Sequence, residues 1–343
     1  MAVARGHQSY ILVAPETTYG VAATTGFFKN EVISMSCDPV IGSIMDTSLN
    51  TVRSRRGVYQ GGLLYRGTIR VRANYEGGAL PLLMRAAHLG GASGAIATTG
   101  YNYTQNAVGP PAANTHLFTE GTTLRSLTIQ MQEGAVAATV QEVRGAVITG
   151  YTFRIAAGQS GDAMGVFEFS FVAQSKTEGI TENAGAAAFP AVNPVLFHQC
   201  ITQVDGSGDA TPLIRALEFS YSAPYNDSRY QLGNVNPLQP LPNDFVATTM
   251  KITREFDSTA QFVKARSFAA PAAALEFVFQ GATITGVHKY EMAWKAVNAR
   301  ITEYGHPVED YDVVQATTTW TPYLDATTGS MTFRTKASEA QLT

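Results

Sequence analysis

Residues 63–75, LLYRGTIRVRANY, decide the fold class. Ile69, Val71, Ala73 and Tyr75 fall on one face, and Thr68, Arg70, Arg72 and Asn74 on the other. That period of two predicts a half-buried β-strand. The next stretch, EGGALPLLMRAAHLGG, predicts a short helix, with Pro81 in its first turn and Gly90 supplying a left-handed cap. Strand, loop, strand and short helix run over 33–88 and again over 214–268, and alternating strands follow each time. An internal repeat sets the architecture before any motif does.

The first copy opens with a strand at 31–40, EVISMSCDPV. After its helix come a Gly-, Ala- and Thr-rich insertion at 90–122 without a pattern of its own, then LRSLTIQMQE (124–133). There Leu127, Ile129 and Met131 alternate with Thr128, Gln130 and Gln132. In GVFEFSFVAQSK (165–176), Phe167, Phe169 and Phe171 form a stripe suited to a face packed on a second sheet. The second copy runs through LIRALEFSYS (213–222), a loop rich in turn formers and FVATTMKITREF (245–256). A helix capped by Asp257 follows, then AALEFVFQG (273–281), which matches LRSLTIQMQEG in phase. The expectation is a mainly β protein of two tandem β-sandwich or barrel domains, each with one short helix. Its parts are an extended arm at 1–30, a first domain at 31–180, a linker at 181–212 and a second domain at 213–343.

The 343 residues suffice for two ordinary domains. Hydrophobic residues at 45% against 15% charged argue for a packed chain, either compact or burying surface against other copies. A net charge of -3 lacks the basic footprint of a nucleic-acid binder. Cys37 and Cys200 stand alone, so two reduced thiols are expected and a zinc site is not. The N-terminus has no secretory h-region, and no apolar run of about 18 residues occurs. The expectation is a protein made, or assembled, in the cytosol.

No catalytic constellation stands out. GGASGA lacks the strand before it and the GK[ST] ending of a phosphate loop. The six histidines never reach metal-ligand spacing. Glu309, Asp310 and Asp312 could gather round a cation or, as Glu309 with Asp312, suggest a hydrolytic pair, but they read better as a solvated loop end. No cofactor and no metal are expected. One charge feature rises above background: between Asp46 and Glu76 there is no acidic residue and no lysine, yet Arg53, Arg55, Arg56, Arg66, Arg70 and Arg72 occur. A solvated patch, a contact to carboxylates of another subunit and a contact to nucleic-acid phosphate are the three readings.

The order of elements, with an ETTYG-type arm, resembles the tail tube proteins of long-tailed, siphovirus-like phages. RSLTIQMQEG and AVITGYTFRIAAG…GVFEFSFVAQSK carry the likeness in the first copy; RALEFSYSAPYNDSRYQLG and TTMKITREFDSTAQF carry it in the second. The resemblance implies a virion protein, assembled in the host cytoplasm, whose rings stack into a hollow tube that DNA crosses during ejection. One-unit members form hexamers, so two fused units imply a trimer with pseudo-sixfold symmetry. It implies self-association, contacts to a tape-measure protein and tail-end proteins, double-stranded DNA in the lumen and no enzyme activity. Arg53, Arg55 and Arg56, with Tyr225 and Arg229 from the second loop, would reach the neighbouring ring. Gln130, Gln132, Glu168, Glu218 and Glu276, polar positions opposite apolar stripes, are the candidates to line the lumen. The alternatives are a capsid or baseplate β-sandwich protein, or a carbohydrate-binding or hydrolytic one.

Overall fold

The structure, a computed structural model, describes residues 9–46, 57–76, 78–89, 114–118, 120–121, 124–134, 140–158, 161–183, 188–204, 207–208, 214–256, 263, 266, 273–285, 288–305, 314–324 and 330–337. The N-terminal half holds β1 (Tyr10–Pro15), β2 (Phe28–Glu31), β3 (Ser34–Met45), β4 (Val58–Arg72), α1 (Leu80–His88), β5 (Asn114–Phe118), β6 (Leu127–Gln132), β7 (Val140–Ala156), β8 (Val166–Ala173) and β9 (Ser175–Ile180). The C-terminal half holds β10 (Cys200–Val204), β11 (Ser207–Gly208), β12 (Ile214–Ser222), β13 (Tyr225–Asn226), β14 (Leu241–Pro242), β15 (Ala247–Glu255), β16 (Ala273–Thr285), β17 (His288–Gly305), β18 (Gln315–Pro322) and β19 (Thr332–Ala337).

The repeat is one of pairing, carried down to the register. In the first half β3 pairs with β4, β4 with β8, β8 with β7 and β7 with β6, all antiparallel. In the second, β12 pairs with β15, β15 with β18, β18 with β17 and β17 with β16. β1 on β6 corresponds to β10 on β16, and β9 on β7 to β19 on β17. The bulges repeat too. The β6–β7 ladder shifts between Leu127 and Ile129, and the β16–β17 ladder between Ala273 and Leu275. The β7–β8 ladder shifts between Ile148 and Gly150, and the β17–β18 ladder between Ile301 and Glu303. A bulge bends its strand. Each long strand can thus leave one sheet for another part way along, as β7 does between β6 and β8.

The halves are joined twice by backbone ladders. β7 pairs with β12 from Ala156↔Ala216 to Gly150↔Ser222, and β5 pairs with β19. They also share one core. The fully buried Phe153 ring lies 4.3 Å from Trp294 and stacks on Phe219 at 5.8 Å. Phe167 touches Trp294 at 5.9 Å and Phe333 at 6.0 Å. The expected phenylalanine stripe of β8 is indeed a core face: Phe167, Phe169 and Phe171 are all buried.

Three local features were not anticipated. Leu89 takes a left-handed backbone after α1, at φ 59°, and bridges to Glu120; Gly90, the expected cap, lies outside the described residues. The insertion at 90–122 contributes β5, whose pairing with β19 was invisible in its composition. Residues 181–212 contain β10, and Val195 is buried with its N–H on the Ala73 carbonyl at 3.0 Å. The helix expected after Asp257 lies outside the described residues, apart from Val263 and Arg266.

Candidate functional site

A single sheet runs β3-β4-β8-β7-β12-β15-β18-β17 through both halves. Its apolar face carries Ile69, Val71, Phe167, Phe169, Tyr151, Phe153, Leu217, Phe219, Met250 and Ile252 into the core. The other face is open and mixes both signs of charge with hydroxyls. One cross-strand row reads Arg72, Val166, Arg154, Glu218, Lys251, Thr319 and Glu303. A second reads Ser34, Arg70, Glu168, Thr152, Ser220 and Thr249. Arg154 pairs with Glu218 at 3.2 Å across the junction of the halves, and Thr319 donates to Glu303 at 3.1 Å. Thr253 with Thr317 and Thr302 with Thr321 make hydroxyl pairs at 3.2 and 3.1 Å. The face is wide, polar and close to neutral, a surface without the basic excess that holds phosphates.

Glu168 and Glu218 sit half-buried on this open face. Gln130, Gln132 and Glu276, the other lumen candidates, are instead buried within the chain. Gln130 is buried, donating to Glu142 at 3.0 Å and accepting the Asn183 N–H at 3.2 Å. Gln132 is buried against the Gly134 carbonyl. Glu276, the register counterpart of Gln130, is buried beside Arg334, which binds Glu291. Burial pushes the Glu276 carboxyl upward, and Lys295 and Arg334 oppose that.

For Gln130 and Gln132 the cause is the arm, laid over β1 and β6. Strand β1 buries both faces, Ile11 and Val13 toward the main core and Leu12 and Ala14 toward Phe27 of the arm. The ETTYG motif (16–20) fastens that arm. The Glu16 carboxylate accepts from the Gly20 N–H at 2.9 Å, the Thr128 hydroxyl at 3.0 Å and the Gly145 N–H at 2.8 Å. Gly145, at φ +64°, lets Tyr19 come close; a side chain there would meet the Tyr19 ring. The Glu16 role has a sequence signal after all, a carboxylate four residues before a glycine in a stretch otherwise poor in charge.

Arg53, Arg55 and Arg56 lie outside the described residues, as do Glu309, Asp310 and Asp312. Tyr225 and Arg229, expected to reach another ring, both make contacts inside the chain. Tyr225 packs on the core, and burial raises its hydroxyl pKa; Arg229 donates to the Gln239 carbonyl at 2.6 Å. The loop they belong to folds back on the first half. Leu63 N–H donates to the Val235 carbonyl at 2.8 Å, Gln174 to the Pro237 carbonyl at 3.0 Å, and Arg66 pairs with Asp227 at 2.7 Å. Of the arginine cluster, Arg66 thus meets a carboxylate of its own chain, while Arg70 and Arg72 lie on the open polar face.

Among the described residues no group of three His, Cys, Asp or Glu could hold a metal ion. Cys37 is buried and Cys200 partly so, and neither forms a disulfide; burial pushes the Cys37 thiol up to about 11. His88 is fully buried beneath Tyr151 and Tyr221 and hydrogen-bonds the Tyr151 hydroxyl at 3.0 Å; burial lowers its pKa to about 3. A cleft of about 410 Å³ between β7, β10 and β12 offers one carboxylate, Glu255, and Arg215 pairs with it. No helix among the described residues is long and apolar enough to cross a membrane.

No curated protein matches the chain. A family model described as phage tail tube protein matches residues 6–322, nearly the whole length and both halves of the repeat. With a mainly β fold built on large antiparallel sheets, the chain belongs to the phage tail tube protein family.

Proposed function

We propose that this tail tube protein is a non-enzymatic wall component in which two fused units do the work of two one-unit subunits. Three chains would close a ring of pseudo-sixfold symmetry, rings would stack into a hollow tube, and DNA would leave through it. One observation carries this reading: the two halves share a pairing order and bulges, and they already meet edge to edge through β7 and β12. An edge contact that recurs by rotation closes a ring in the plane and leaves two unlike faces free to stack. Closure also removes the open sheet edges that otherwise invite aggregation.

The eight-stranded sheet, three copies of which supply 24 strands, would form the inner wall. Its near-neutral polar face, with Glu168 and Glu218, would line the lumen so that DNA slides without sticking. Arg53, Arg55 and Arg56 remain the proposed contacts to the neighbouring ring. A tape-measure protein, tail-end proteins and assembly in the host cytoplasm belong to the same reading, and they rest on resemblance alone.

Negative-stain microscopy with sedimentation analysis of the purified protein tests it. Rings of uniform bore containing three chains, stacking into tubes, are the expected result. A chain that stays monomeric at high concentration, or rings of six chains, would overturn the trimer. Changing Arg53, Arg55 and Arg56 together to Ala should leave rings intact and shorten tubes; unchanged tube length would remove their stacking role.

A further inference from the structure

We infer that the β3–β4 hairpin of one copy docks on a defined apolar edge of the next copy in the ring, formed by β17, Phe245, Tyr323 and Leu324. The inference rests on the ring reading and gives it a residue-level interface. The template is the junction inside the chain. There, β12 lies on the C-terminal part of β7, and the loop after β12 covers the start of β4 and Gln174.

The repeat register converts that junction into one between copies. Shared pairings and bulges make Cys37 the counterpart of Phe219, Ile148 that of Ile301, and Phe171 that of Trp320. The pair Ser222↔Gly150 then becomes Val40↔Glu303, and Ser220↔Thr152 becomes Asp38↔Gly305. The Ala223 N–H bond to the Thr149 carbonyl, 2.8 Å long, becomes Ile41 N–H to Thr302. Both edges are available. Among the described residues β3 makes ladder pairs with β4 alone, and Glu303–Gly305 with β18 alone. Pro39 falls where the edge would present an N–H, which limits pairing with arbitrary strands.

The side chains agree. Ile41 is 59% exposed, Ile44 59%, Val58 64% and Tyr59 60%, a concentration of apolar surface on one hairpin. Such a patch marks an interaction site more than a solvated surface. In the receiving half, the counterparts of Gly62, Leu63 and Gln174, which hold the loop within the chain, are Phe245, Val246 and Tyr323. Phe245 is 91% exposed and Leu324, beside Tyr323, 72%. Two exposed apolar surfaces thus stand at the two positions that the internal junction would bring together.

Cysteine pairing tests the register in the full-length protein. Val40 and Glu303 would face each other at a non-hydrogen-bonded pair, about 4.5 Å between Cα atoms and within disulfide range. The double variant Val40→Cys, Glu303→Cys should give covalent oligomers ending at the trimer on non-reducing gels. The offset pair Asp38→Cys, Glu303→Cys, about 7–8 Å apart on the diagonal, should not. Phe245→Ser should leave the melting of the isolated chain unchanged and raise the concentration for half-assembly by about tenfold or more. If rings form yet Val40→Cys, Glu303→Cys does not cross-link and Phe245→Ser assembles normally, this interface is wrong and the ring reading stands. If no ring forms at any concentration, the ring reading itself fails and the interface with it.

Discussion

Residues 41–63 and 223–246 occupy the same place in the two halves, between counterpart strands, and are nearly equal in length. In the first, β3 and β4 stay paired out to Met45↔Val58 and the hairpin projects with its apolar side chains exposed. In the second, the β12–β15 ladder stops at Ser222↔Ala247 and the chain folds back over the first half. Proline decides between them. The second segment carries Pro224, Pro237, Pro240 and Pro242, and the first has none. A proline cannot donate to a ladder, and beyond Ser222↔Ala247 the continuous hairpin gives way to the two-pair β13–β14 ladder, Tyr225↔Pro242 and Asn226↔Leu241. The same repeat position can therefore hold a segment that satisfies itself inside the chain or one that leaves its apolar side chains exposed.

The comparison assumes that both halves belong to one folding unit, and Phe153→Ala tests this with the largest effect. Removing a ring that touches Trp294 and Phe219 should cost about 3–5 kcal/mol. Both tryptophans, Trp294 and Trp320, lie in the second half, so their fluorescence should move with the same single transition although the change is in the first. Two separate transitions would show halves that merely touch. Next comes the arm. Glu16→Ala removes an acceptor shared by three donors and should cost about 1.5–3 kcal/mol, with early proteolysis near residues 16–27.

Gly62→Val addresses the loop directly. A side chain at Gly62 would enter the Tyr230 ring, so the variant should lose about 1–3 kcal/mol and gain protease cuts within 225–244. Cuts that appear elsewhere would mean the loop is held by other contacts. The smallest effect belongs to Arg66→Ala. Its pair with Asp227 is exposed on the arginine side, so about 0.2–1 kcal/mol is expected, and a double-mutant cycle with Asp227→Ala should recover that coupling.

Much of the fold was legible in the sequence because strand parity is local. Ile69 and Val71 against Arg70 and Arg72, and the phenylalanines of β8 against Glu168, fell on the faces that their alternation indicates. The helix at Leu80–His88 followed from Pro81 and the apolar run behind it. β5 was hidden, because an edge strand that borrows its partner from residues about 200 positions away needs no pattern of its own. Leu89 was hidden too, since nothing local marks it for a left-handed backbone while a glycine stands beside it.

Gln130 and Glu276 show where local reading stops. Both are polar residues opposite an apolar stripe, at counterpart positions, and both are buried. Alternation determines which side of a strand a residue points to, and the sequence alone settled that, together with the β class. Whether that side meets water depends on chain that returns from far away: the arm donating from Ala23 to Thr128, and Asn183 donating to Gln130. The second covering layer, the β7–β12 junction and the fate of the two equivalent loops were decided by tertiary structure, because each pairs backbone or side-chain groups whose partners no local pattern specifies.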